Sequence, residues 1–170
     1  TQNLEQEVQK RQQEEQRRMA LEAALAEPLA KGRITLDNGR IGISGSVLFA
    51  LNSDELQPQG RQLLQSLVAP LQIYLGQHDE LLMVSGFTDD LPIQKNNNRY
   101  QDNWELSAQR ALTVTRALIE EGMPRARVFA AAFGAQQPVA SNGDSAGRAR
   151  NRRVEMAPVP RGRQQELADE

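Results

Sequence analysis

The sequence predicts an α/β sandwich, with helices packed on one side of a mixed sheet. Three observations carry that expectation. Leu81 to Phe87 is a continuous apolar run, the pattern of a strand buried on both faces. Just before it, Leu64, Leu67, Val68, Leu71 and Leu75 recur at helical spacing. Ile34, Leu36, Ile41 and Ile43 alternate around Asp37-Asn38-Gly39, and Asn-Gly favours a tight hairpin because both residues tolerate positive φ.

The elements follow in chain order. Thr1 to Arg18 holds two large apolar side chains, Leu4 and Val8, and fourteen of its eighteen residues are Gln or charged, so it supplies no core. Its residue types favour helix, and Leu21, Leu25 and Leu29 continue a helical stripe towards Gly32. A solvated helix of roughly 25 residues, ~40 Å long, is expected, with a frayed tail as the alternative. No heptad seam is sustained, so a coiled coil is not supported. After the hairpin, Val47-Leu48-Phe49 reads as a short strand. Pro58 opens the next helix, which Pro70 is expected to kink or divide. The buried strand is followed by a polar segment without periodicity, Thr88 to Asn103. A helix is expected from about Trp104 to Glu121, capped by Asn103 and stopped by Gly122 and Pro124. Arg127 to Phe133 reads as a strand, Gly134 to Gly147 as a loop, and Arg152 to Met156 as the last strand. The chain thus divides into an N-terminal helical segment, 1–32, a domain, 33–160, and a tail, 161–170.

Composition removes several function classes. There is no cysteine among the 170 residues, hence no disulfide, thiolate nucleophile or cysteine-bound metal. His78 is the only histidine, so a multi-histidine metal site is excluded and a Ser-His-Asp triad would depend on it alone. Twenty basic against 22 acidic residues give a net charge of −2, which argues against bulk nucleic-acid affinity. The apolar runs fall far short of the ~20 residues that span a bilayer. No start methionine or signal peptide is visible.

The residues most in need of explanation are Thr88-Asp89-Asp90, Asn103 and Arg110. The two aspartates follow the buried strand, at the sheet mouth where α/β folds commonly bind ligands. On the next helix Asn103, Leu106, Arg110 and Val114 share a face, so Arg110 is flanked by apolar residues one turn away. A guanidinium there could hold a carboxylate while Asp89 receives an ammonium, together gripping a zwitterion. An intramolecular Asp89–Arg110 salt bridge would explain both residues with no ligand.

Three blocks carry a family resemblance: Gly86-Phe87-Thr88-Asp89, Asn103-Trp104-Glu105-Leu106-Ser107-Ala108-Gln109-Arg110-Ala111, and Gly147-Arg148-Ala149-Arg150-Asn151-Arg152-Arg153-Val154-Glu155. With Val47 to Leu56 as an opening segment, residues of about Ile41 to Pro158 resemble the OmpA-like peptidoglycan-binding domain, most nearly its MotB and MotD branch of flagellar stator subunits. The resemblance implies a βαβαβ core preceded by a helix, and non-covalent binding of the stem peptide without catalysis, cofactor or metal. It implies that Asp89 binds the amino group and Arg110 a carboxylate of diaminopimelate, that Asn103 and Leu106 line the pocket, and that Thr88 and Asn52 form its rim. It further implies a homodimer, a MotA-type partner reached through a transmembrane helix upstream of Thr1, and the Gram-negative periplasm. Phe87 replaces a histidine common in the family, a change expected to affect packing, and Asn52 stands where many members carry Asp or Gly. A general envelope anchor without a motor role, or a peptidoglycan-processing enzyme, are the alternatives.

Other features have plainer readings. Arg148, Arg150, Arg152 and Arg153 form the most basic stretch, but no aromatic residue is interleaved to stack bases. They are expected to make structural ion pairs, with Arg148 and Asn151 nearest the ligand cleft. Asp89, Asp90 and Glu105 are a weak case for a metal or hydrolytic carboxylate pair. His78 is expected in a solvated loop and Trp104 as a packing anchor.

Overall fold

The computed structural model describes residues 2–161. Five strands form one sheet in the order β1-β2-β5-β3-β4, comprising β1 (Thr35–Asp37), β2 (Arg40–Ser44), β3 (Glu80–Phe87), β4 (Val128–Gly134) and β5 (Arg153–Pro160). Only β3 and β4 run parallel, joined through a crossover helix, so the sheet is mixed. The hairpin between β1 and β2 turns at Asn38 and Gly39, both at positive φ (53° and 79°), as their residue types foretell.

The helices are α1 (Gln2–Ala24), α2 (Ala26–Ala30), α3 (Gly45–Leu48), α4 (Pro58–His78), α5 (Asn103–Glu120) and α6 (Ser145–Asn151). The core joins Leu64, Leu67, Leu71 and Leu75 of α4 and Ala111, Val114 and Leu118 of α5 to the inward residues Ile41, Ile43, Leu82, Val84, Val154 and Met156 of the sheet. The last turns of the N-terminal segment belong to this core as well. Leu21 and Leu25 are buried within it, and Arg17 reaches to 3.9 Å from the Glu80 carboxylate. Truncating Leu25 to alanine is therefore expected to cost about 2–5 kcal/mol, read from the midpoint of urea denaturation. An unchanged midpoint would mean that the segment contributes nothing to the fold.

Four local expectations are corrected. Val47-Leu48-Phe49 is not a strand: α3 takes one helical turn there, and only Phe49 bridges, to Leu56. Gly45 lies against the Arg152 carbonyl, where a Cβ would come within 2.9 Å, and the turn then buries Leu48 and Phe49. Helix α4 is not divided at Pro70. The carbonyl that proline leaves without a donor belongs to Ser66, which is exposed and can be hydrated. Residues 134–147 are not all loop, because Asp144 caps α6 through the Gly147 amide at 2.7 Å. His78 ends α4 rather than lying in a loop, its ring stacked on Tyr74 at 4.2 Å.

Candidate functional site

The end of β3, the segment that follows it and the first turns of α5 converge at one end of the sheet. A register shift between Gly86 and Phe87 loosens the pairing of β3 with β4 where the chain leaves for Asp89. Thr88 is held there by its amide on the Gly134 carbonyl at 2.8 Å, and its hydroxyl donates to the Asp89 carbonyl at 2.8 Å. Thr88 is buried, its hydroxyl bound to the chain beneath the surface.

Asp89 is 7% exposed. One carboxylate oxygen accepts the Leu91 amide at 3.1 Å, and the other accepts Arg152 Nη1 at 2.6 Å. Asn103 is not the cap of α5. Asp102 takes that role, accepting the Glu105 amide at 2.9 Å, and Asn103 Nδ2 is free to donate to the carbonyls of Leu91 (3.0 Å) and Asp89 (3.3 Å). Asn103 thus holds the backbone that carries Asp89.

Arg110 is 5% exposed, one turn along α5 from the equally buried Leu106. Its Nε donates to the Ser53 carbonyl at 2.8 Å, and its guanidinium lies over the Phe49 ring at 5.1 Å. No carboxylate among the described residues comes within 4.0 Å of it. The expected alternative, an Asp89–Arg110 salt bridge, is not formed, since Asp89 is paired with Arg152. Burial pulls the Arg110 guanidinium below its usual pKa, and neighbouring Arg152 acts in the same direction. Tyr100, Asp54 and Asp89 are close enough to oppose that pull.

The structure therefore brings together Asp89, Arg110, Asn103, Leu106 and Thr88. It does not bring in Asn52, which is exposed in left-handed backbone (φ 55°) and makes none of these contacts. Its neighbours Ser53 and Asp54 enter instead. Two further residues were missed from sequence. Arg152 is one, while Arg148 and Asn151, expected nearer the cleft, serve the loop. Asn151 accepts the amides of Val139 and Ala140 and donates to Ala140 and Asn142, and Arg148 donates to the Asn142 carbonyl. Tyr100 is the other, 5% exposed within an otherwise polar segment, its hydroxyl bonded to Asp54. The signal for Tyr100 was an aromatic among Asn, Arg and Gln.

Arg153 makes the structural ion pair expected of the basic stretch. It pairs with Glu155 at 2.6 Å and covers Phe87 at 3.8 Å, and Phe87 stacks on Phe133. Trp104 is 51% exposed, its ring resting against Gly134, so it packs on one side only. Among the described residues no group of three His, Asp or Glu side chains could hold a metal ion, and no helix is long and apolar enough to cross a membrane.

Comparison with known proteins places this site in context. Motility protein B of Bacillus subtilis is 45% identical over 82 residues, covering 48% of this chain and 31% of that protein. The crystal structure of a putative MotB-like protein from Desulfovibrio vulgaris superposes with a TM-score of 0.72 at 31% identity, covering 88% of this chain and 96% of that one. The cell wall anchor of the T6SS from Pseudomonas aeruginosa gives a TM-score of 0.71 at 30% identity, over 83% of this chain and 97% of the other. The chain spans 31 to 62% of the length of the curated relatives it matches first. The OmpA family profile matches residues 48–152, which include the site from Ser53 to Arg152. With that match over more than half its length, the chain belongs to the OmpA family.

Proposed function

We propose that this domain is a non-enzymatic anchor that binds peptidoglycan through the diaminopimelate of the stem peptide. One observation carries the reading above all: Arg110 is a nearly buried cation, committed through one N–H to a backbone carbonyl, with no carboxylate partner among the described residues. Burying an unpaired charge costs several kcal/mol, and a ligand carboxylate would offset that cost with paired hydrogen bonds. Asp89 receives the ligand's ammonium beside it, exchanging part of its bond to Arg152 for the new cation. Asn103 positions Asp89, while Leu106 and Thr88 form the wall beneath.

The likeness to Motility protein B and to a MotB-like protein supports a flagellar stator role, in which the wall resists the torque of the motor. That role adds a homodimer, a MotA-type partner reached through a transmembrane helix outside these residues, and the periplasm. A wall anchor without a motor role is the second reading, supported by the likeness to a T6SS anchor.

Co-sedimentation with purified sacculi tests the binding itself. The wild-type domain is expected in the pellet, and free meso-diaminopimelate is expected to release it. Asp89→Ala is expected to lower retention at least tenfold, because the ligand ammonium would then face Arg110 and Arg152 with no carboxylate between them. Retention that neither diaminopimelate nor Asp89→Ala reduces would sink the assignment, and release of soluble fragments from the sacculi would identify an enzyme instead.

A further inference from the structure

We infer that Tyr100 is a positioning residue for Arg110, acting through the single peptide group between Ser53 and Asp54, and that it thereby sets the preference for a ligand bearing a carboxylate. The inference rests on the reading of Arg110 as the carboxylate receptor.

The geometry is a short relay. Tyr100 Oη accepts the Asp54 amide at 2.9 Å and donates to Asp54 Oδ1. Arg110 Nε donates to the Ser53 carbonyl at 2.8 Å. The Asp54 N–H and the Ser53 C=O are the two ends of one planar peptide unit, and in a trans peptide they point in opposite directions. The peptide is therefore held from one side by the phenol and from the other by the guanidinium. Hydrogen bonds arranged in such a chain polarise one another. The Nε bond fixes the plane of the guanidinium fork, and so the direction in which the remaining N–H groups are presented.

The surroundings favour this use of the phenol. Tyr100 lies at the end of the irregular segment after Asp89, and 46 residues separate it from Asp54. Between Leu91 and the α5 cap, this buried ring ties a polar, largely exposed segment to the loop above Arg110. Burial first, then the Asp54 carboxylate, pushes the Tyr100 pKa up to about 12, so the hydroxyl keeps its proton at neutral pH. Losing the hydroxyl leaves the Asp54 amide without its acceptor and lets the peptide plane turn, while Asp89 keeps its own contacts to Leu91, Arg152 and Asn103.

That separation makes the inference testable. Two stem tripeptides serve as probes, alike except that one ends in meso-diaminopimelate and the other in L-lysine, which keeps the side-chain ammonium but lacks its neighbouring carboxylate. Titration calorimetry with the full chain compares wild type, Tyr100→Phe and Asp54→Ala, which removes the acceptor of the Tyr100 hydroxyl. Both variants are expected to bind the diaminopimelate peptide about three- to tenfold more weakly, the effect of one or two hydrogen bonds, with lysine-peptide affinity unchanged. Unchanged lysine-peptide binding also reports that the pocket is folded, and Asp54→Ala carries the test if Tyr100→Phe proves unstable. Equal losses for both peptides, or no loss for either, overturns the role of Tyr100. A wild type that fails to discriminate between the peptides overturns the reading of Arg110 itself and this inference with it.

Discussion

Arg110→Ala is expected to remove retention on sacculi while leaving the domain folded and no less stable. The two halves of that expectation share one cause. A guanidinium that is 5% exposed and lacks a carboxylate partner is a cost to the folded state, because its desolvation is only partly offset by the Ser53 carbonyl and the Phe49 ring. Removing it relieves that cost, loses one hydrogen bond, and so leaves the melting temperature level or raises it by a few degrees, the usual mark of a residue kept for function. The ligand fares differently. Its carboxylate would enter a site with no cation directed at it, and truncating one partner of such a pair costs about 2–5 kcal/mol, or roughly 30-fold and more in affinity. Arg110→Lys is the sharper variant. An ammonium keeps the charge, but it cannot donate to the Ser53 carbonyl in the plane that also presents a fork to a carboxylate. It is expected to lose at least tenfold. Co-sedimentation and a thermal melt read both effects. Wild-type retention by the alanine variant would exclude Arg110 from the site, and a collapse of the melt would make it a structural residue.

The parts of the fold visible in the sequence are those whose signals are local. The apolar run of β3 requires burial on both faces wherever it lies, and Asn38-Gly39 turns a hairpin with no help from distant residues. Arg110 was legible for the same reason. Leu106 and Val114 flank it at helical spacing, so any placement that buries them draws the guanidinium inward. Arg152 was not legible, because four arginines between 148 and 153 share nearly the same local context. What separates them is tertiary: the Arg152 carbonyl receives the Gly45 amide, and its side chain then meets Asp89, 63 residues away. Tyr100 and Asp54 show the same limit across 46 residues. Short apolar runs fail for another reason. Val47 to Phe49 is too brief for periodicity to separate a strand from one helical turn, and Gly45, pressed against Arg152, decides it.

A large loss of stability is also expected from Gly86→Ala, where one added methyl group reaches backbone. A Cβ on Gly86 would lie 2.1 Å from the carbonyl oxygen of Ser107, and the next two atoms it meets, at 2.9 and 3.2 Å, are also Ser107 backbone. No side chain can swing aside to make room, so α5 must withdraw from β3. Ser107 Oγ accepts the Gly134 amide at 3.0 Å and would lose that bond as the helix moved. Overpacking and a lost buried bond together are expected to cost about 3 kcal/mol, lowering the melting temperature of a chain this size by roughly 6–12 °C. Binding is expected to fall as well, even at temperatures where the variant stays folded, because Ser107 is one turn from Arg110 while Asp89 stays with β3. The guanidinium and the carboxylate would then be spaced wrongly for one zwitterion, and errors near 1 Å can cost a hundredfold in a preorganised site. Gly76→Ala provides the contrast. That glycine lies in the last turns of α4 with nothing within 4 Å of an added Cβ, so alanine is expected to stabilise by about 0.5–1 kcal/mol and leave binding unchanged. If Gly86→Ala instead melts and binds like wild type, the close approach of α5 to β3 does not set the distance between Asp89 and Arg110.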